Sequence, residues 1–500
     1  MQYQSTRDKN ISVDSAVAIK TGLSSDGGLF VPNCIPSVKE DDIKLMSTLN
    51  YNERAAKILS LFLTDFTTDE IIECVDKAYS KEKFETVDIA PIYKLKNSTY
   101  FLELWHGPTC AFKDMALQIL PHLLLKSVKK TGETKEIVIL VATSGDTGKA
   151  ALEGFKNVDG TRIIVFYPEN GVSHIQKLQM ATQDGNNVDV AAINGNFDDA
   201  QTGVKTIFSD KEYAKVLEQN SFMLSSANSI NWGRLVPQII YYFSAYCNLL
   251  RNDEIELGES INFVVPTGNF GNILAAYYAR EMGLPINKLI CASNKNNILT
   301  DFINTGVYDK NRNFHTTTSP SMDILISSNL ERLLYHITGG DDTRVKTWMN
   351  ELKDSGKYEI PEVTKEKIKR IFWAGFCDDI DTTETIKNVK NENGYVIDTH
   401  TAVAKNVYDQ YISQTEDKHK TVIVSTASPF KFANSVLNAV ATQEEIEGKD
   451  DFELLDILSQ KAELNLPQSL AELKTKPVIF KTTCEKNELY EVVSNMLNLA

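Results

Sequence analysis

This 500-residue chain has no C-x-x-C pair, no long apolar run, no basic cluster and no metal-ligand spacing of histidines. Its seven cysteines (Cys34, Cys74, Cys110, Cys247, Cys291, Cys377, Cys484) are odd in number and far apart. That pattern excludes a disulfide framework or a zinc module and suits a reducing compartment. The most apolar stretch, residues 236–250, is broken by Pro237, Gln238, Ser244 and Asn248 and is too short to span a bilayer, so a buried helix is expected there and no membrane partner. No run of Lys and Arg is longer than a pair such as Lys129 and Lys130, and the net charge is -15, which argues against nucleic acid as a partner. His106 and His122 are isolated, and no G-x-S-x-G elbow anchors a hydrolase triad, so neither a metal centre nor a serine hydrolase is expected. The opening MQYQSTRD lacks the apolar core of a signal peptide and is acidic too early for a transit peptide, so a cytoplasmic location is expected.

What is present is the composition of an ordinary folded protein, 42% apolar and 24% charged, without excess Gly or Pro. Residues 1–92 combine a Gly-punctuated start, GLSSDGGLFVP, with helix-period segments such as 51–66, and predict a helical N-terminal domain. From about residue 93 to 500 the texture is that of an α/β region. Apolar strand-like runs (136–142, 161–167, 188–193, 261–265, 421–425), several opening through Gly-rich turns, alternate with helical segments. Runs without polar alternation predict parallel sheets covered on both faces. The stretch 294–393 is more helical and more polar, and reads as an insertion.

Two strand-to-helix turns, TSGDTGK (143–149) and GNFGN (268–272), have the arrangement in which free N–H groups and the helix dipole make an anion site. The first is not a nucleotide P-loop: only two residues separate Gly145 from Gly148, and Ala150 follows Lys149. The second lacks the third glycine of a dinucleotide fingerprint. The plain alternative for both is a turn that uses Gly for a left-handed conformation. Lys113 lies in CAFKDMA, preceded by WHGP. A lysine desolvated in such a setting becomes a neutral amine able to attack a carbonyl, whereas an arbitrary lysine is a surface residue paired with a neighbour such as Asp114.

The order of several blocks resembles the threonine synthases, in their longer bacterial and fungal subgroup. The blocks are GLSSDGGLFVP, LELWHGPTCAFKDMALQ, VATSGDTGKAAL, SSANSINWGRLVPQ, VVPTGNFGNILAAYYA, TTTSPSMDILISSNLERLL and VIVSTASPFKF. The resemblance implies a pyridoxal-phosphate enzyme of fold type II, tryptophan synthase β-like, with two parallel-sheet domains, a helical N-terminal domain and a helical insertion. It implies a carbon–oxygen lyase that converts O-phospho-L-homoserine and water to L-threonine and phosphate. Lys113 would carry pyridoxal 5'-phosphate as a Schiff base, with Gly268, Asn269, Phe270, Gly271 and Asn272 around the cofactor phosphate. Thr426 would face the pyridine nitrogen, where a hydroxyl moderates the electron sink and suits elimination and replacement. Ser144, Asp146 and Thr147 match a loop that contacts the substrate carboxylate and the cofactor face, with Asp146 standing where relatives often carry Asn. Asn228, Ser229, Asn231 and Arg234 are the polar part of SSANSINWGR; Asn231 and Arg234 would contact the substrate, and Arg234 suits its phosphate. The chain departs from the family at Ser428-Pro429-Phe430-Lys431-Phe432, where many members read His-Pro-Ala-Lys-Phe, and at Trp105, where Phe is frequent. A phospholyase or Ser/Thr dehydratase giving a 2-oxo acid is the alternative within the fold; a silent ligand-binding protein is the alternative outside enzymes.

Overall fold

Residues near the N-terminus pair as a small antiparallel sheet of β1 (Tyr3–Ser5), β2 (Asp8–Val13) and β3 (Phe30–Pro32), in the order β2-β1-β3. The protein is seen in a computed structural model that describes residues 1–499 other than Asn97, Ser144 and Gly171, and omits the side chain of Asp198. The expected helices follow the small sheet, which was not foreseen. Tyr51–Phe62 and Thr68–Ala78 each open on a capping box, Asn50 with Glu53 and Thr67 with Glu70, which satisfies N–H groups that a helix end leaves free.

The chain then lays down β4 (Ile92–Lys94) and β5 (Thr99–Glu103) and moves away to build β6 (Glu136–Ala142), β7 (Thr161–Pro168), β8 (Val188–Asn194) and β9 (Phe222–Ser225). It returns for β10 (Ile261–Pro266) and β11 (Ile286–Ser293), makes a small antiparallel pair of β12 (Val307–Asp309) and β13 (Lys357–Glu359), and adds β14 (Phe372–Phe376) and β15 (Thr421–Ser425). A last strand, β16 (Thr482–Glu485), goes back to the middle group. Two sheets result. One has six strands in the order β14-β11-β10-β15-β5-β4, parallel except for β4; the other has five, β16-β8-β7-β6-β9, all parallel.

Every residue of β5, β10 and β15 is buried, as uninterrupted apolar runs require when helices cover both faces. The stretch expected to be a helical insertion is mostly helical but contains β14, which extends the six-stranded sheet beside β11. Its Phe-Trp-Ala-Gly-Phe is a strand sequence by composition, hidden in a polar neighbourhood. The expected buried helix is longer than anticipated, Trp232–Arg251, and is buried from Trp232 through Leu249, so its lack of a polar face is that of a core element. No described helix is long and apolar enough to cross a membrane. The turns after β5, β10 and β15 all leave the carboxyl edge of one sheet, and the turn after β6 leaves that of the other. In open parallel sheets this is where ligand sites form.

Candidate active site

Lys113 follows β5 through a tight loop and stands at the head of the short helix Asp114–Leu117. Cys110 holds the loop in the left-handed region at φ 58°, and Gly107 must be glycine because a Cβ there would lie 2.7 Å from Asp114 Oδ2. Asp114 accepts hydrogen bonds from the Thr109 N–H (2.8 Å) and hydroxyl (2.7 Å), which locks the turn, while burial pushes its carboxyl up to about 6. The plain alternative, a surface lysine paired with Asp114, is therefore not what the structure holds. Lys113 is 8% exposed, and its Nζ donates to Ser321 Oγ at 3.1 Å. Burial first, then the like charges of Arg234 and Lys431, push the amine down to about 8 against the pull of Asp146.

Asp146 opens the helix Asp146–Phe155 after β6. Its Oδ2 lies 3.7 Å from Lys113 Nζ and accepts from Ser321 Oγ at 3.3 Å; its Oδ1 accepts from Lys431 Nζ at 2.9 Å and from Gln176 Nε2 at 3.0 Å. Burial opposes ionisation here, yet the two lysines and Gln176 hold the carboxyl well below the usual carboxylate range. An ionised Asp146 repels a substrate carboxylate, so its place is beside the Lys113 amine and not among the anion contacts expected of this loop. Thr147 is half-buried in the first turn of the same helix. Ser144 lies outside the described residues. Ser321 is held from behind: its N–H donates to His400 Nε2 (3.2 Å), which leaves the proton on Nδ1 for Asp398 Oδ2 (2.9 Å).

The turn after β10 is built differently. Phe270, and neither glycine, takes the left-handed conformation (φ 62°), and it caps the helix Gly271–Glu281 with no side-chain bond. Gly268 is required for close approach, since a Cβ there would meet the Ser321 carbonyl oxygen at 2.8 Å. The Gly268 carbonyl accepts from Ser327 Oγ (2.7 Å), and that of Asn269 from the N–H (3.1 Å) and side chain (3.0 Å) of Asn329. Asn272 Oδ1 accepts from both Tyr241 (2.5 Å) and Tyr242 (2.6 Å), while its Nδ2 is buried without a partner among the described residues. The N–H groups of Gly271, Asn272 and Ile273 have no intrahelical acceptor.

Thr426 follows β15 and is buried; its carbonyl accepts from the Phe112 N–H at 2.8 Å, which brings it next to the Lys113 loop. Arg234, in the long buried helix, bonds the Ala227 carbonyl at 2.8 Å and has no carboxylate partner among the described residues; burial lowers its pKa to about 10. Ser229 comes near the turn after β10, 3.8 Å from where a Cβ of Gly271 would stand, whereas Asn228 is exposed. Asn231 is a correction. Its side chain caps the long helix at Gly233 N–H (2.8 Å) and donates to the carbonyls of Ile19 (2.9 Å) and Ser226 (3.0 Å), so it is committed to the scaffold. Ser321, His400 and the ion pair of Lys431 were missed from sequence. Lys431 carried a usable signal, a lysine between two phenylalanines, as Lys113 follows Phe112 in its own apolar setting.

Models of three families match the chain: "Threonine synthase N terminus" over residues 2–79, "Pyridoxal-phosphate dependent enzyme" over 86–427 and "Threonine synthase, C-terminal" over 401–494. The chain is 42% identical to Threonine synthase-like 1 of Macaca fascicularis over 85% of its own length, but spans 58% of that relative. It is 36% identical to threonine synthase of Saccharomyces cerevisiae, covering 88% of this chain and 89% of the relative. Among solved structures, PLP-bound threonine synthase from Brucella melitensis superposes with a TM-score of 0.87 at 35% identity, over 99% of each chain.

Proposed function

This chain belongs to the threonine synthase family of pyridoxal-phosphate-dependent enzymes, and we propose that it converts O-phospho-L-homoserine and water to L-threonine and phosphate at the Lys113 centre. The observation that carries the reading is a buried amine with a lowered pKa, held at the carboxyl edge of the sheet whose next turn leaves its helix N-terminus uncapped. The residues fit the cofactor: Asn272 offers a buried amide nitrogen with no partner among the described residues, Gly268 leaves a space that a Cβ would fill, and the first three N–H groups of the helix have no acceptor within it.

Lys113 would hold the cofactor's aldehyde, Gly268 to Asn272 its phosphate, and Thr426 its ring nitrogen. When bound, pyridoxal phosphate supplies an electron sink for charge developing at the substrate's α-carbon. Lys113 Nζ would take the α-proton and later return it, which a near-neutral amine can do in both directions. Ser321 Oγ accepts from that amine and donates to Asp146, and so fixes its direction. Arg234, with no internal carboxylate, binds the substrate phosphate and favours its departure from the γ-carbon. Thr147 and Ser144 would receive the substrate carboxylate, a role that rests on the likeness of their turn to that of the family. Burial of the centre limits water, which guards against hydrolysis to a 2-oxo acid. A cytoplasmic location belongs to the same proposal, supported by seven free thiols.

The test is incubation of purified protein with O-phospho-L-homoserine, following phosphate and threonine together. Equal release of both is expected; 2-oxobutyrate in place of threonine would give the reading to the lyase alternative. Lys113→Ala should lower turnover at least about 1000-fold, as loss of a covalent and general-base group does.

A further inference from the structure

We propose that Lys431 is a positioning residue of this centre, which takes up the charge of Asp146 and so keeps that carboxylate from clamping the amine of Lys113. Lys431 comes from the turn Pro429–Phe432, and its side chain is 1% exposed. Its Nζ meets Asp146 Oδ1 at 2.9 Å, the Thr109 carbonyl at 2.9 Å and Gln179 Oε1 at 3.5 Å. Three acceptors use up the three donors of an ammonium, so none is left for a ligand. The carboxylate is shared unequally: Lys431 touches one oxygen directly, while Lys113 stands 3.7 Å from the other, with Ser321 Oγ bonded to both.

The other charged groups around the amine sharpen the point. Arg234 from the long helix and Lys431 both act against its protonation, and Asp146 acts for it. His400 and Asp398 stand behind Ser321, and Asp114 is turned toward Thr109. Lys431 also acts on Cys110 and Asp114, both of which are buried. Asp146 is thus the sole carboxylate that contacts the amine among the described residues, and Lys431 is its direct counter-charge.

The proposal rests on reading Lys113 as the reacting amine, so its test is made on the protein stripped of cofactor and does not depend on turnover. Brief acetylation with acetic anhydride across a pH series, with the Lys113 peptide quantified by mass spectrometry, gives the midpoint at which the amine becomes reactive. Lys431→Met should move that midpoint to higher pH by about one unit, a roughly tenfold fall in Lys113 acetylation at fixed pH below it. Asp146→Asn should move it to lower pH, because Lys431 is then uncompensated. The double variant, with a neutral pair, should return close to wild type, and Lys431→Arg should stay there. Singles that shift in the same direction, or not at all, overturn the proposal. If Lys431→Met does not fold, the double variant against Asp146→Asn isolates the same lysine: a higher midpoint in the double supports the proposal, and an equal one overturns it. Loss of the Lys113→Ala activity assignment would sink the enzymatic reading while leaving these midpoints as they are.

Discussion

The turns after β6 and after β10 look alike in sequence, each a glycine-bearing link from a buried strand into a helix, yet they end in opposite electrostatic states. In the first, Thr143 Oγ1 accepts the N–H groups of Gly145 (3.0 Å) and Gly148 (2.9 Å), and the helix begins with a carboxylate of its own. The anion that a helix N-terminus attracts is already supplied by the chain. In the second, the cap is Phe270, no side chain among the described residues caps the helix, and its first N–H groups have no acceptor within it. A glycine-rich turn is thus an anion site only when the residues around it withhold their own oxygens. The first turn instead presents its carboxylate to two lysines.

The sharpest way to break this contrast is Gly268→Ala. The added Cβ would meet a backbone oxygen of the Ser321 turn at 2.8 Å, which cannot swing aside as a side-chain tip can. Pyridoxal phosphate affinity of the apoprotein, measured by fluorescence titration, should fall on the order of 100-fold as charge-assisted bonds are lost. Gly145→Ala probes the other turn, where φ is 137° and only glycine is comfortable. It should cost about 2 kcal/mol of unfolding free energy in urea, with a smaller effect on cofactor affinity than Gly268→Ala. Equal losses of affinity in the two variants would erase the distinction between the turns. Thr143→Val, which removes the hydroxyl cap and keeps the shape, should cost about 1 kcal/mol of stability and leave the cofactor titration unchanged.

Much of this was legible locally. The strands at 136–142 and 421–425 coincide with β6 and β15, because buried parallel strands are written as unbroken apolar runs. Lys113 was a weak candidate from its setting among Cys, Ala and Phe, and the resemblance to the threonine synthases is what singled it out. Ser321, His400 and Asp398 were not legible: Ser321 sits in a single helical turn, Pro320–Met322, and Asp398 and His400 at the head of the helix Thr399–Thr415, and they meet the centre only through tertiary folding. The plain alternative put a left-handed glycine in this turn; the left-handed residue is Phe270, and Gly268 serves close approach instead. Asn231 was misread although its sequence context, an Asn before a Trp-led apolar helix, is that of an N-cap.

β15 joins two groups of strands that are otherwise separate, with β10 on one side and β5 on the other. During synthesis, β4 and β5 emerge from the ribosome more than 300 residues before the strand that bridges them to β10, β11 and β14. The six-stranded sheet therefore cannot grow by adding neighbours one at a time; it waits for a keystone. Such long-range pairing is slow to nucleate, and until it happens the Lys113 amine lacks the wall that Thr426 and Lys431 provide. The surroundings of Lys113 are thus completed only when the last strand of its sheet arrives.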